Sequence, residues 1–332
     1  MKKLLVFLAS LLIGIGLFSW IIKNIGWQEI KKAISVLTCW QGIVILGLTL
    51  LAALVGTWKW KELLRIEGVK ISFPSLLRYY LGGFSVMFFM PQIILGGEVL
   101  RGYLLREKSS VPEIKGIASA LTDRILEATV FLIVIFFGAT FLFLKIGFHP
   151  TKITLIFGAI FLLFVLITIL FYFKGFKRES VVRLLIGGDQ NKLLEIEKEM
   201  FTFLKPKKAL MLKVFSLNIL KVAIMLLRTW FLVGFLGKSI GIMPATTILG
   251  FSYIALLIPI PAAIGSHEVA QSFVFNSLGL GAGAATAFAM VIRGVEFIIA
   301  LIGAIILFRL GIALVKNNLY KKIDSFTNHY EI

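Results

Sequence analysis

Residues 91–98, Pro-Gln-Ile-Ile-Leu-Gly-Gly-Glu, and residues 261–268, Pro-Ala-Ala-Ile-Gly-Ser-His-Glu, share one pattern inside long apolar sequence. A proline is followed by six residues, then by a glutamate, with Gly96-Gly97 directly before Glu98 and Gly265-Ser266 one residue further back, before His267-Glu268. Proline cannot extend a helix through its missing N–H, and glycine relaxes the backbone. Each stretch therefore reads as a hinge where a helix stops and a half-helix begins, the hinge residues being Pro91, Gly96 and Gly97, then Pro259, Pro261 and Gly265. The unsatisfied N–H groups of such half-helices would face the middle of the bilayer, where they favour anions.

The surrounding sequence makes that solvent a membrane. Of 332 residues, 59% are hydrophobic and 16% charged, with 30 Phe and a mean hydropathy of +0.96. A spanning helix needs about 20 mostly apolar residues. Eight stretches qualify, near 4–22, 38–57, 76–97, 116–144, 153–173, 214–236, 245–264 and 285–308. The expected fold is all-α, a polytopic transmembrane helical bundle occupying residues 1–332 as one integral membrane domain. The first stretch reads as a retained signal anchor, because Phe18-Ser19-Trp20 is a poor cleavage site. The single cysteine, Cys39, excludes an internal disulfide and a multi-cysteine metal cluster. The net charge of +18 is carried by loops between apolar spans, which points to topology and anionic headgroups and not to nucleic acid.

Loop charges set the topology. Segment 174–213 carries the densest basic run and should be cytoplasmic. Within it Leu193, Ile196, Met200 and Phe203 recur at helical spacing, which fits an amphipathic helix on the membrane surface or one packed on the bundle. Segments 58–78 and 98–115 are both basic, so the apolar stretch between them enters and leaves on one side. Segments 237–244 and 266–284 both read as external, so 245–264 folds back from the opposite face. Six crossings plus two re-entrant hairpins result, with both termini cytoplasmic. Lys23, Lys31 and Lys32 in the 23–37 loop run against this scheme.

The two hairpins belong to a longer repeat, about 76–144 and 245–308. Pro91 and Pro261, like Glu98 and Glu268, stand 170 residues apart. Arg124 with Glu127 and Arg293 with Glu296 form Arg-x-x-Glu pairs 169 residues apart. Since the loop charges orient the units oppositely, this is an inverted repeat, the architecture of secondary transporters with a midplane site.

Ionisable side chains in hydrocarbon are costly and face a protein interior or a wet cavity. Five are cationic: Arg101, Arg124, Lys221, Arg228 and Arg293. Five are acidic: Glu98, Asp123, Glu127, Glu268 and Glu296. Their balance fits buried ion pairs that fix helix register. Their position fits a cation-lined cavity for an amphiphile whose phosphate must pass through hydrocarbon. On that reading Arg124 and Arg293 contact phosphate, with Arg101, Lys221 and Arg228 secondary. Glu98 and Glu268 either hold the arginines or carry a coupling proton, and Asp123, Glu127 and Glu296 complete the ion pairs.

The familiar enzyme motifs are not met, which points away from an enzyme. His267-Glu268-Val269-Ala270-Gln271 lacks the second histidine of a zinc helix, Ser266-His267 adjacency in sequence is not evidence of a pair meeting in space, and there is no P-loop. No cofactor or metal is expected.

Pro91 to Glu98 with Gly96-Gly97, Arg101, Asp123-Arg124 with Glu127, and the late Pro259-x-Pro261, Gly265 and Glu268 together resemble the lysylphosphatidylglycerol synthase transmembrane-region family. This flippase-like domain is also found in multiple peptide resistance factors. The resemblance implies a plasma-membrane protein handling phospholipid or lipid-linked substrates, aminoacylated lipids among them. In the full-length synthases aminoacyl transfer belongs to a separate soluble domain, and the expectation for this chain is the membrane part without that activity. A lipid flippase or transporter is therefore the expected function. The alternatives are a membrane subunit presenting lipid to a lipid-modifying enzyme, and a non-catalytic scaffold. Pro-Ala-Ala-Ile-Gly at 261–265 departs from the more glycine-rich turn the family leads one to expect.

Overall fold

The computed structural model describes residues 39–90, 96–146, 191–204, 208–258 and 260–327, with scattered helical positions between 155 and 169. The described helices are α1 (Cys39–Ile66), α2 (Phe73–Phe89), α3 (Gly96–Ser109), α4 (Glu113–Ile146) and α5 (Asn191–Leu204). They continue with α6 (Lys208–Phe235), α7 (Ile242–Leu256), α8 (Ser266–Ser277) and α9 (Ala282–Thr327), a 3-10 turn at Pro261–Ala263 lying between α7 and α8. No strand occurs among the described residues. The stretch 4–22, the loop 23–37, most of 153–173, residues 174–190, and Pro91 and Pro259 of the expected hinges lie outside them.

This is a helical membrane protein. Trp40–Ile66, Glu113–Lys145, Met211–Phe235 and Ala282–Leu310 are long and apolar enough to cross a membrane, and Ile242–Leu256 is a shorter apolar helix. The patterning is inside-out. On α1, Leu50, Leu51, Leu54 and Trp58 face outward, while Thr49, Ala52 and Lys59 are buried. In lipid an apolar outer face costs nothing, whereas polar groups must be satisfied within the bundle.

Both broken stretches fold back on themselves. In the first, a Cβ on Gly83 of α2 would stand 2.8 Å from the carbonyl oxygen of Gly97 on α3, and Tyr79 Oη lies 3.4 Å from Ser109 Oγ. Partners move apart along the two helices in opposite directions, which makes them an antiparallel hairpin. In the second, Gln271 of α8 donates to Ser252 Oγ of α7 at 2.8 Å, and Ser266 Oγ to the Ala255 carbonyl at 3.4 Å.

The segments 58–78, 98–115 and 266–284, read as loops from their charge, are largely helical: α1 runs on to Ile66, α3 fills 96–109 and α8 fills 266–277. A window of sequence cannot separate a loop charge from one on a helix face turned into the bundle. Segment 191–204 is the helix α5, and Ile196, Met200 and Phe203 are buried against Leu121 and Leu126 of α4. It packs on the bundle.

The two halves interlock. α7 lies antiparallel to α4, with Phe131 stacked on Tyr253 at 3.7 Å between ring centroids and Thr247 donating to the Gly138 carbonyl at 3.0 Å. α2 lies antiparallel to α9, with Phe88 beside Phe297 and Gly303 against Leu81. A Cβ on Gly138 would come within 2.8 Å of Thr247 Cα, and one on Gly303 would strike the Leu81 carbonyl. Glycine alone lets these backbones touch. Because α2 parallels α4 and opposes α9, the triplet α2–α3–α4 runs opposite to α7–α8–α9.

The turn at 261–265 accounts for the missing glycines. Ala262 and Ala263 take φ of +52° and +48°, the left-handed region, and Gly265 takes +87°. The turn is built as glycine would build it, with two alanines held there at about 1 kcal/mol or more each.

Candidate functional site

A cavity of about 190 Å³ opens between the hairpins and the long helices. Hairpin α2–α3 supplies Phe84, Met87 and Glu98, while the turn after α7 supplies Leu256, Leu257 and Ala262. Leu256 and Leu257 are exposed. The cavity therefore has a polar floor and an apolar rim.

The floor holds the charges. Of the ten ionisable residues singled out above, all but Glu268 line the cavity. They stand in three tiers. In the first, Asp123 of α4 takes Lys59 of α1 at 3.0 Å and Arg101 of α3 at 3.2 Å. The Arg101 guanidinium also lies over the rings of Tyr80, at 4.1 Å, and Trp60, at 5.0 Å, a cation–π arrangement that favours a desolvated guanidinium.

In the second tier Lys221 of α6 donates to Glu127 at 2.5 Å and to Tyr80 Oη at 3.0 Å, and Lys59 reaches Glu127 at 3.7 Å. Arg124 is held loosely, 3.7 Å from Glu98 and 4.0 Å from Glu127, with 40% of its side chain accessible. The third tier joins Arg228 to Glu296 at 3.3 Å, to Thr49 Oγ1 at 3.2 Å, and Arg293 to Glu296 at 2.7 Å. Lys59 and Thr49 are ten residues apart on one helix, so the tiers rise through about 15 Å, half the hydrocarbon thickness.

Charge does not balance along this column. Lys59 with the five lining cations meets four lining carboxylates. Glu268 does not join them, for its carboxylate accepts the Gly265 N–H at 2.7 Å and caps α8. Even counting it, one positive charge is left over. An unpaired buried charge is costly unless a counter-ion completes it.

The model of the lysylphosphatidylglycerol synthase transmembrane region matches residues 7–303. The chain belongs to this family. It is also similar, at 22% identity over 296 residues, to a UPF0104 membrane protein of Methanocaldococcus jannaschii, covering 84% of this chain and 87% of that one.

Within this family member, Arg124 and Arg293, paired by the repeat, differ in surroundings. Arg124 is the open one, whereas Arg293 is buried with its Nε unbonded among the described residues. The two glutamates differ as well: Glu98 faces Arg124, and Glu268 serves its own helix.

Four participants escaped the sequence reading. Lys59 is fully buried, although it was counted with a basic loop. Asn218 donates to the Leu126 carbonyl at 2.6 Å and accepts from Lys59 at 3.3 Å, while Tyr80 and Thr49 complete the second and third tiers. A signal for Lys59 exists: Thr49, Ala52, Gly56, Lys59 and Leu63 recur at helical spacing as the inward face of α1, opposite its leucines.

Proposed function

We propose that this protein is a lipid flippase, moving lipids with an anionic or phosphate-bearing headgroup, aminoacylated headgroups included, across the plasma membrane. The observation that carries the reading is the unbalanced positive column within a small cavity that has an exposed apolar rim. A phosphate supplies the missing negative charge, and Arg124 has free donors to take it bidentately. At about 190 Å³ the cavity suits a headgroup, the acyl chains remaining in the bilayer. The opposed triplets support an inverted repeat of about 76–144 and 245–308, and with it alternating exposure of one site to either face. Arg101, Lys221 and Arg228 support the headgroup behind Arg124 and Arg293, and both termini lie in the cytoplasm.

Proteoliposomes carrying the protein and fluorescent phospholipids test this directly. Translocation should be accelerated for at least one phosphate-bearing headgroup, and Arg124→Gln should reduce it at least about ten-fold, the loss of one strong charge-assisted contact. No acceleration with any headgroup, lipid-linked sugars included, would overturn the reading. The synthase named in the family's description favours a second reading, in which the protein presents lipid to a lipid-modifying enzyme. Co-purification of such an enzyme, with loss of its product on deletion of this gene alone, would support it.

A further inference from the structure

Two arginines converge on one carboxylate in the third tier. Glu296 Oε1 lies 3.3 Å from Arg228 Nη1 and its Oε2 lies 2.7 Å from Arg293 Nη1. Both arginines are at least nine-tenths buried, both line the cavity, and the Nε–H of each makes no hydrogen bond among the described residues. A guanidinium has five N–H donors, and a carboxylate has about four lone-pair sites. The pair is therefore short of acceptors. The planar, two-oxygen face that Glu296 presents is the one a phosphate presents to a guanidinium fork.

The first half repeats the arrangement. Glu127, the counterpart of Glu296, sits between Lys221 at 2.5 Å and Arg124 at 4.0 Å. Lys221 and Arg228 are separated by about 10 Å along α6, so the two anion-centred clusters stand one above the other along the column.

We infer that Arg228 and Arg293 form a second phosphate station beyond Arg124, and that Glu296 is its resident substitute anion, filling the station whenever no phosphate does. A phosphate arriving there displaces the carboxylate, and the carboxylate displaces the phosphate in turn. The exchange keeps the guanidiniums paired in hydrocarbon at every stage and keeps binding weak enough for release. As a step in transport the inference rests on the flippase reading, but the station itself is open to direct binding.

The test uses the full chain in detergent, titrated calorimetrically with dihexanoyl phosphatidic acid and, separately, with inorganic phosphate. Glu296→Gln keeps the side chain's shape and removes its charge, so it should bind the short-chain lipid about ten-fold more tightly than the unaltered protein. Adding Arg293→Gln to it should abolish the gain. Glu296→Asp, whose shorter carboxylate reaches the guanidiniums less well, should fall between, which keeps the inference testable if the Gln variant does not fold. A gain confined to the lipid identifies a headgroup site, and an equal gain with inorganic phosphate identifies a site for the ion itself. Gln and Asp variants that bind no tighter, or more weakly, would overturn the inference, since Glu296 would then only orient the arginines. In proteoliposomes the Gln variant should translocate more slowly at saturating lipid. If the unaltered protein moves no lipid while the Gln variant still binds more tightly, the flippase reading fails and the substitute anion stands.

Discussion

Lys59 and Lys61 lie two residues apart near the end of α1 and look alike in sequence, yet their replacement by methionine should have very different effects. The Lys59 ammonium is fully buried, 3.0 Å from Asp123 and 3.7 Å from Glu127, and it donates to Asn218 and to the Asp123 carbonyl, each at 3.3 Å. Breaking a buried pair by removing one partner costs about 3–5 kcal/mol. Each carboxylate here keeps another cation, Arg101 on Asp123 and Lys221 on Glu127, which places Lys59→Met near the lower end, at about 3 kcal/mol. Lys61 is only partly buried and has its ammonium 5.9 Å from the centre of the Phe73 ring, a contact worth about 0.5–1 kcal/mol. Reversible unfolding in mixed micelles titrated with dodecyl sulfate measures both. If the two variants differ by less than about 1 kcal/mol, Lys59 is hydrated or unpaired and the charge count of the column is wrong.

Arg124→Gln should leave the unfolding midpoint nearly unchanged while impairing translocation, because its ion pairs are long and its side chain is 40% accessible. Gly138→Val and Gly303→Val should each destabilise by about 1–3 kcal/mol in the same unfolding assay, from overpacking against Thr247 and the Leu81 carbonyl. Glu268→Ala should cost about 1 kcal/mol through loss of the α8 cap, whereas Glu268→Gln, which can still accept from Gly265 N–H, should cost little. Ala262→Gly should raise stability by about 1 kcal/mol, because it relieves a φ of +52° by more than the glycine adds to unfolded-chain entropy. In a Cys39→Ser background, single cysteines at Glu107 and Asn276 should react with impermeant reagent from opposite faces; labelling from one face would contradict the inverted repeat.

The sequence made the helices and the scarce charges legible because both are local. Apolar length marks α1, α4, α6 and α9, and the repeated spacing singles out Glu98 with Arg124 and Glu296 with Arg293 before any contact is known. The partners are not local. Asp123 meets Lys59 across 64 positions and Glu127 meets Lys221 across 94, and nothing in a one-dimensional pattern joins them. Lys59 was further hidden by Lys61 and Arg65, since a basic cluster ending a span reads as interfacial whichever face each side chain takes. Glu268 shows another limit: the repeat offered it either an arginine to hold or a proton to carry, and neither pattern shows that a glutamate at the third position of a helix also accepts from its own N-terminal N–H. The alanines at 262 and 263 hid a left-handed turn, because sequence indicates such turns mainly through glycine.

The reciprocal packing of α2 on α9 and of α4 on α7 also sets an order of events during synthesis. A chain made from its N-terminus brings α2 and α4 to the membrane well before the ribosome has reached α7 or α9. Until then Arg228 of α6 lacks Glu296, and the Gly82 and Ser85 face of α2 has no helix to close on. The nascent first half is therefore a client in waiting, needing the insertion machinery or a chaperone to shelter its polar seam. A ribosome stalled after α6 should leave a product that degradation removes, not a stable half-protein.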